Sequence, residues 1–322
     1  MQLRKGELAM KILKLNLRYL LTLTLCLLMI AGTKQVYAEE SKPVSDKIQT
    51  TTTETDKKVL ETEKPAEEEK PTGDLSVSVL SAFYSNGVET SRNSAIIQPC
   101  LTLGYKGFTA NVWGNIDTGP YQTPADKTKK NTLAETHFNL SYIKTLGYVN
   151  LGAGYSYVGF SPPYDGAARP DDQQEAFAIL GLNVLFNPTL TVFKLFDKGH
   201  RWYFQMGVSH IFELNKVVSL KLSGTAAYMI GEDPDYATEA KYDDEANKTT
   251  DKYNAFLDGV VSVCLPLKVT EHITITPTIS YAFPLTTDAK NYMKGNGLET
   301  VTNNTDRASS FLFGGLVLSF SF

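Results

Sequence analysis

The sequence predicts an all-β fold, an antiparallel transmembrane barrel of the outer membrane with about twelve strands. Three observations predict it. Segments of roughly ten residues with period-two alternation recur from Asp74 onward. The connections between them alternate between short and long. The chain closes on an aromatic-rich alternating run, Ser309 to Phe322, in which Leu312, Leu316, Leu318, Phe320 and Phe322 share one face.

Taken in order, residues 1–38 read as a signal peptide. Lys11, Lys14 and Arg18 form a basic region, Leu20 to Ile30 an apolar stretch, and Val36-Tyr37-Ala38 a small-residue cleavage site. That apolar stretch falls short of the ~20 residues a spanning helix needs. Residues 39–73 are rich in Thr, Glu, Lys and Pro and lack aromatics below the cleavage site. So little apolar surface cannot offset the entropy of folding, and a disordered periplasmic tether is expected. The barrel then occupies 74–322.

Strands are expected near 75–84, 95–105, 108–117, 134–144, 148–158, 175–186, 189–197, 201–213, 217–230, 253–267, 272–284 and 309–322, with no helix among them. Tight turns fall at Lys106-Gly107, Leu146-Gly147, Asn187-Pro188, Asn215-Lys216 and Thr270-Glu271. Long polar loops fall at 85–94, 118–133, 159–174, 231–252 and 285–308, and only Asp197 to His200 breaks the alternation. A soluble two-sheet sandwich has no reason to alternate in this way, whereas a membrane barrel has short periplasmic turns and long outer loops. An even strand count leaves both ends in the periplasm.

Within strands, one face is apolar and the other polar but poor in charge. On 108–117, Phe108, Ala110, Val112 and Ile116 are assigned to lipid; Thr109, Asn111, Trp113, Asn115 and Asp117 are assigned to the lumen. The segments 217–230 and 272–284 divide likewise. Lys194 can be read in either register. Tyr105, Tyr142, Tyr148, Tyr155, Trp202 and Tyr228 are expected in interface girdles.

The run from Gln98 to Asn115, with its Lys106-Gly107 turn and its Trp113-Gly114-Asn115 strand, resembles the second hairpin of the TorF-like family of porin-type outer-membrane proteins of Gram-negative bacteria. Residues 82–91 resemble that family's opening hairpin. The resemblance covers about 75–117 and implies an outer-membrane barrel and a pore. It carries no assigned substrate, so no catalytic or ligand residue follows from it.

Asn111, Trp113, Asn115, Glu135, His137 and Asn139, on adjacent strands, form the candidate lumen constriction. Their alternative role is to fill a narrow lumen and satisfy one another. Lys221 and Asp258 are a candidate lumenal ion pair. Phe322 is the candidate assembly signal, read by the barrel-assembly machinery. No catalytic, cofactor or metal residue is expected. Ser209 and His210 are adjacent in a strand and therefore point apart, so they cannot form a nucleophile and base. The acidic segment 232–251 lacks the spacing and glycine of a calcium loop and reads as a solvated outer loop. Asp126 to Lys130 is a short basic cluster facing lipid phosphates. Once Cys26 leaves with the signal, Cys100 and Cys264 remain, on distant strands that exclude a disulfide framework. A net charge of −4 argues against nucleic acid. The expected partners are outer-membrane lipid and lipopolysaccharide, the assembly machinery and small hydrophilic solutes. Two functions compete: a channel for passive diffusion of such solutes, and a plugged structural barrel acting through its outer loops.

Overall fold

The computed structural model describes residues 70–119, 132–162, 168–297 and 304–322. The expected signal peptide, nearly all of the tether, and the Asp126–Lys130 cluster lie outside these residues.

Twelve antiparallel strands close into a barrel. In chain order these are β1 (Thr72–Ser85), β2 (Val88–Tyr105), β3 (Phe108–Asp117), β4 (Thr132–Leu146), β5 (Val149–Phe160), β6 (Gln173–Leu182), β7 (Thr189–Asp197), β8 (Trp202–Glu213) and β9 (Ser219–Ile230), followed by β12 (Asn254–Cys264), β14 (Ile273–Pro284) and β15 (Phe311–Ser321). Each pairs with its sequence neighbour, and β15 returns to β1 with Ser321 opposite Asp74 and Gly315 opposite Leu80. Closure leaves no sheet edge, which is the condition for strands to cross hydrocarbon. Short strands β10 (Ala240–Tyr242) and β11 (Lys248–Lys252) form a hairpin within one connection, and β13 (Leu267–Lys268) extends a turn.

The alternation of side chains sets the barrel in a membrane. Leu75, Val79, Leu103, Val112, Leu140, Leu151, Leu180, Ile279, Leu316 and Leu318 all stand exposed on the outside. Tyr105, Phe108, Tyr142 and Tyr148 ring the end where β1 begins and β15 finishes, here the inner end. Tyr155, Tyr157, Trp202 and Phe256 ring the outer end. A soluble protein does not expose such a belt, and aromatic girdles around an apolar band mark the two interfaces of a bilayer. The protein is an outer-membrane β-barrel. Lys194 sits on the lipid-facing side near the outer rim. There its Nζ reaches the His200 carbonyl, the Glu232 carboxylate at 2.9 Å and the Trp202 ring, so its charge lies at the interface rather than the midplane.

Three sequence expectations are corrected. Residues 85–94 are not a long loop: β1 and β2 continue to a two-residue turn at Asn86-Gly87, both with positive φ, like Lys106-Gly107 at the inner end. Such turns match the twist of hairpin strands, and Asn-Gly is their strongest signal. The sixth strand stops at Leu182 rather than 186, and Phe186 and Asn187 take left-handed conformations in a wider turn. A helix, α1 (Thr287–Gly295), does occur, in the segment expected to be a polar loop. Thr286 caps it, accepting from the Ala289 N–H at 3.0 Å, and Arg307 donates to the carbonyls of Lys294, Gly295 and Gly297 at its other end.

Candidate functional site

The lumen has two chemically different halves. Toward the outer end, the inward-facing side chains of Ala82, Tyr84, Phe177, Phe193, Tyr203, Met229, Phe311 and Phe313 are all buried. They are covered by two connections that turn into the barrel. One is 231–253, with its β10–β11 hairpin; the other holds α1, within 285–297. Tyr253, Tyr292, Ala289 and Met293 from these segments join the same core at essentially zero exposure.

The two segments also bind each other. The Tyr292 ring lies 5.9 Å from Tyr242 and 5.2 Å from Tyr253, and its hydroxyl donates to the Thr238 carbonyl. Lys241 pairs with Asp288 at 3.1 Å, and Asn291 donates to Asp244 at 3.2 Å. Burial holds the Tyr253 and Tyr292 phenols above their ordinary range, so both remain neutral. Glu239 anchors the cap to the wall. Its fully buried carboxylate accepts from three backbone N–H groups: His200 at 2.7 Å, Glu232 at 3.0 Å and Asp233 at 2.9 Å. The acidic segment is thus a folded, anchored structure rather than a solvated loop. Its carboxylates serve its own turns, as where Asp243 accepts from the Glu245 and Asn247 N–H groups. Among the described residues no cluster of three His, Cys, Asp or Glu is placed to hold a metal ion.

Along the β2–β4 wall, the candidate constriction residues come together as expected. Alternation places Asn111, Trp113 and Asn115 of β3 on the inward face with Glu135, His137 and Asn139 of β4, and register sets Asn111 beside Asn139 and Trp113 beside His137. Asn139 donates to Asn111 at 2.9 Å. Asn111 in turn donates to Thr102 Oγ1 at 2.8 Å and to Cys100 Sγ at 3.1 Å. Gln98 donates to Asn115 at 3.1 Å, and Glu135 pairs with His137. The Trp113 ring meets His137 edge-on at 4.8 Å and Phe83 at 5.6 Å. These groups saturate one another across β2, β3 and β4. That is what buried polar groups on a narrow wall must do.

Lys221 and Asp258 do not pair. Lys221 lies opposite Cys264 on β12, six residues from Asp258, or about 20 Å at ~3.3 Å per residue. A bulge between Phe256 and Gly259 interrupts the register around Asp258. Asp258 instead sits buried in the aromatic core and accepts from the Tyr203 hydroxyl at 3.4 Å. A buried ion pair that sequence reasoning missed is Arg201 with Glu175, 3.7 Å apart at the edge of the cap. Cys100 and Cys264 are free thiols. His210 lies on the lipid side between the rings of Phe186 and Phe212, and alternation turns Ser209 to the other face.

No protein-family model matches the sequence, and no curated protein matches it. The resemblance to the TorF-like family therefore rests on residues 75–117 alone. Among solved structures, the chain is similar to the NanC porin at 12% identity and a TM-score of 0.44, over 76% of this chain and 98% of that one. It is also similar to an outer-membrane channel of Pseudomonas putida F1, at 10% identity and a TM-score of 0.39, over 80% and 99% of the two chains. The translocator domain of the autotransporter NalP from Neisseria meningitidis matches at 9% identity and a TM-score of 0.37, over 78% and 88%.

Proposed function

We propose that this barrel is a channel for small hydrophilic solutes whose outer mouth is closed by a cap and conducts when the cap yields. The observation that carries the reading is the division of the lumen. Its outer half is filled by two folded connections around Tyr253, Tyr292 and Met293, while its inner half keeps a polar, partly exposed wall. A barrel whose only role was structural would gain nothing from a polar inner lumen, since apolar side chains fill space without needing partners. A solute entering from the inner end would meet Trp113, His137 and Glu135 only beside the cap, since His137 and Glu135 stand opposite Val158 and Phe160 toward the outer end of β5. Liposome swelling tests the path. Trp113→Ala removes the largest side chain of that wall and should raise the swelling rate with small sugars, and Glu135→Gln should alter ion selectivity. Swelling and selectivity unchanged in both variants would remove these residues from the path.

The runner-up is a permanently plugged barrel that acts through its outer surface. The anchoring of the cap by Glu239 and Arg307 favours it. A wild type that never conducts, together with cap variants that never conduct, would establish it.

A further inference from the structure

The lipid-facing wall is hollowed at the inner rim. An apolar groove of about 370 Å³ lies over β2 there and opens toward the bilayer. Pro71 and Phe322 bound it on one side and Phe108 and Leu140 on the other, with Gly104 and Ala110 too small to fill the space between. Gly73 lets the Phe322 ring lie across β1, since a Cβ there would collide with it. Two lysines stand at the mouth. Lys106, in the β2–β3 turn, holds its Nζ 5.2 Å from the centre of the Tyr105 ring, which belongs to the inner girdle on the lipid side. Lys144 follows Leu140 and Tyr142 on the outward face of β4, two residues past the Phe108–Tyr142 pair toward the rim. Among the described residues neither ammonium is paired with a carboxylate. Asp74, near the groove in sequence, turns to the lumen, where it accepts from the Ser321 hydroxyl at 2.9 Å. Lys194, at the outer rim, is by contrast already held by Glu232.

We infer that this groove binds one anionic phospholipid of the inner leaflet, with an acyl chain in the groove and the phosphate between Lys106 and Lys144. Its volume falls in the range of about 300–1,000 Å³ typical of sites that hold small molecules. At this depth the material available to fill an apolar groove is acyl chain, so the property left for the protein to select is the headgroup. The aromatic girdle marks the level of the lipid headgroups, and lysines there lay their stems on the wall and keep the ammonium among the phosphates. Each lysine near a membrane surface favours an anionic headgroup by about fivefold, so two give roughly twenty-five-fold. A zwitterionic headgroup brings its own ammonium against the same lysines and gains less. The site is independent of whether the lumen conducts.

Native mass spectrometry of the full mature chain in detergent tests it, with phosphatidylglycerol and phosphatidylethanolamine of matched acyl chains added in equal amounts. One phosphatidylglycerol per barrel should be retained, at least tenfold over phosphatidylethanolamine. Lys106→Gln/Lys144→Gln should bring the two lipids close to parity. Lys216→Gln/Lys268→Gln removes the same charge elsewhere on the inner rim and should leave the preference near wild type. Ala110→Phe fills the groove without touching either lysine and should reduce retention of both lipids at least fivefold. Heat-modifiable migration in gels confirms that each variant remains a barrel. No headgroup preference in wild type, or an unchanged preference in Lys106→Gln/Lys144→Gln, overturns the site, and so does an equal loss in Lys216→Gln/Lys268→Gln, which would mark a generic basic rim. Undiminished retention in Ala110→Phe overturns the groove as the seat of the chain. A lipid-free dimer that Ala110→Phe breaks apart would overturn it in favour of a second copy of the barrel.

Discussion

Glu239→Ala is the sharpest probe of the cap, because the carboxylate is fully buried and holds three backbone N–H groups on two different connections. A hydrogen bond to a charged acceptor contributes about 1.5–3 kcal/mol, and a buried donor left without one costs about 1–3 kcal/mol. Three such losses give on the order of 4–8 kcal/mol. The lower end is the better expectation, because the small residue leaves room for water to reach the freed N–H groups. At ~1.4 kcal/mol per tenfold, 4 kcal/mol raises the opening equilibrium about a thousandfold. The barrel strands do not depend on this contact, so the loss should stay local. Amide hydrogen exchange followed by mass spectrometry should show 198–201 and 231–240 exchanging about three orders of magnitude faster, with β2 to β5 unchanged. Glu239→Gln, which keeps one acceptor oxygen, should fall between. Protection within a factor of ten of wild type in the alanine variant would refute the anchoring role.

Asn111→Leu removes the hydrogen bonds that tie Asn139 and Thr102 to residue 111 and should lower stability by about 1–3 kcal/mol in a urea refolding titration; a neutral result would mean that water substitutes freely. The hydrogen bond from Lys194 holds the Glu232 carboxyl below its ordinary value of 4.5. The tie is therefore fully present above that value and lost as pH falls through the depressed one. In a Trp113→Phe background, Trp202 fluorescence should titrate with a midpoint below 4.5, and Glu232→Gln should flatten it; a midpoint at or above 4.5 would break the link. Gly73 and Phe322 exchange both backbone hydrogen bonds, at 2.8 and 2.9 Å, on the last rung of the β1–β15 closure. Deleting Phe322 is expected to reduce the heat-modifiable, folded fraction far more than it changes the conductance of barrels that form.

The sequence carried the strands well because each has one face in lipid and one in the lumen, and a one-residue slip would reverse both. Alternation alone therefore placed Asn111, Trp113, Asn115, Glu135, His137 and Asn139 on one wall. Rank along the barrel was not legible. Lys221 and Asp258 share a face and neighbouring strands, yet six residues of β12 separate Asp258 from Cys264, the residue opposite Lys221. The cap was also hidden. Nine residues are too few for α1 to hold as a helix by itself; it exists because Ala289, Tyr292 and Met293 bury against side chains far apart in sequence. Its local signals, Thr286 before an acidic first turn, were present but weak. Asn86-Gly87 was readable as a hairpin turn and was obscured by the polar residues after it.

In the proposed channel, a polar lumen lies behind a cap that controls it. Single-channel recording of wild type beside Tyr292→Ala/Met293→Ala tests it most directly. The substitutions remove two fully buried side chains from the cap core, and loss of the aromatic ring alone costs about 3–5 kcal/mol. Rare or brief openings are expected in wild type and a large rise in open probability in the double variant, with the barrel intact by heat-modifiable migration. Equal silence in both, with the cap shown to be released by hydrogen exchange, would contradict it.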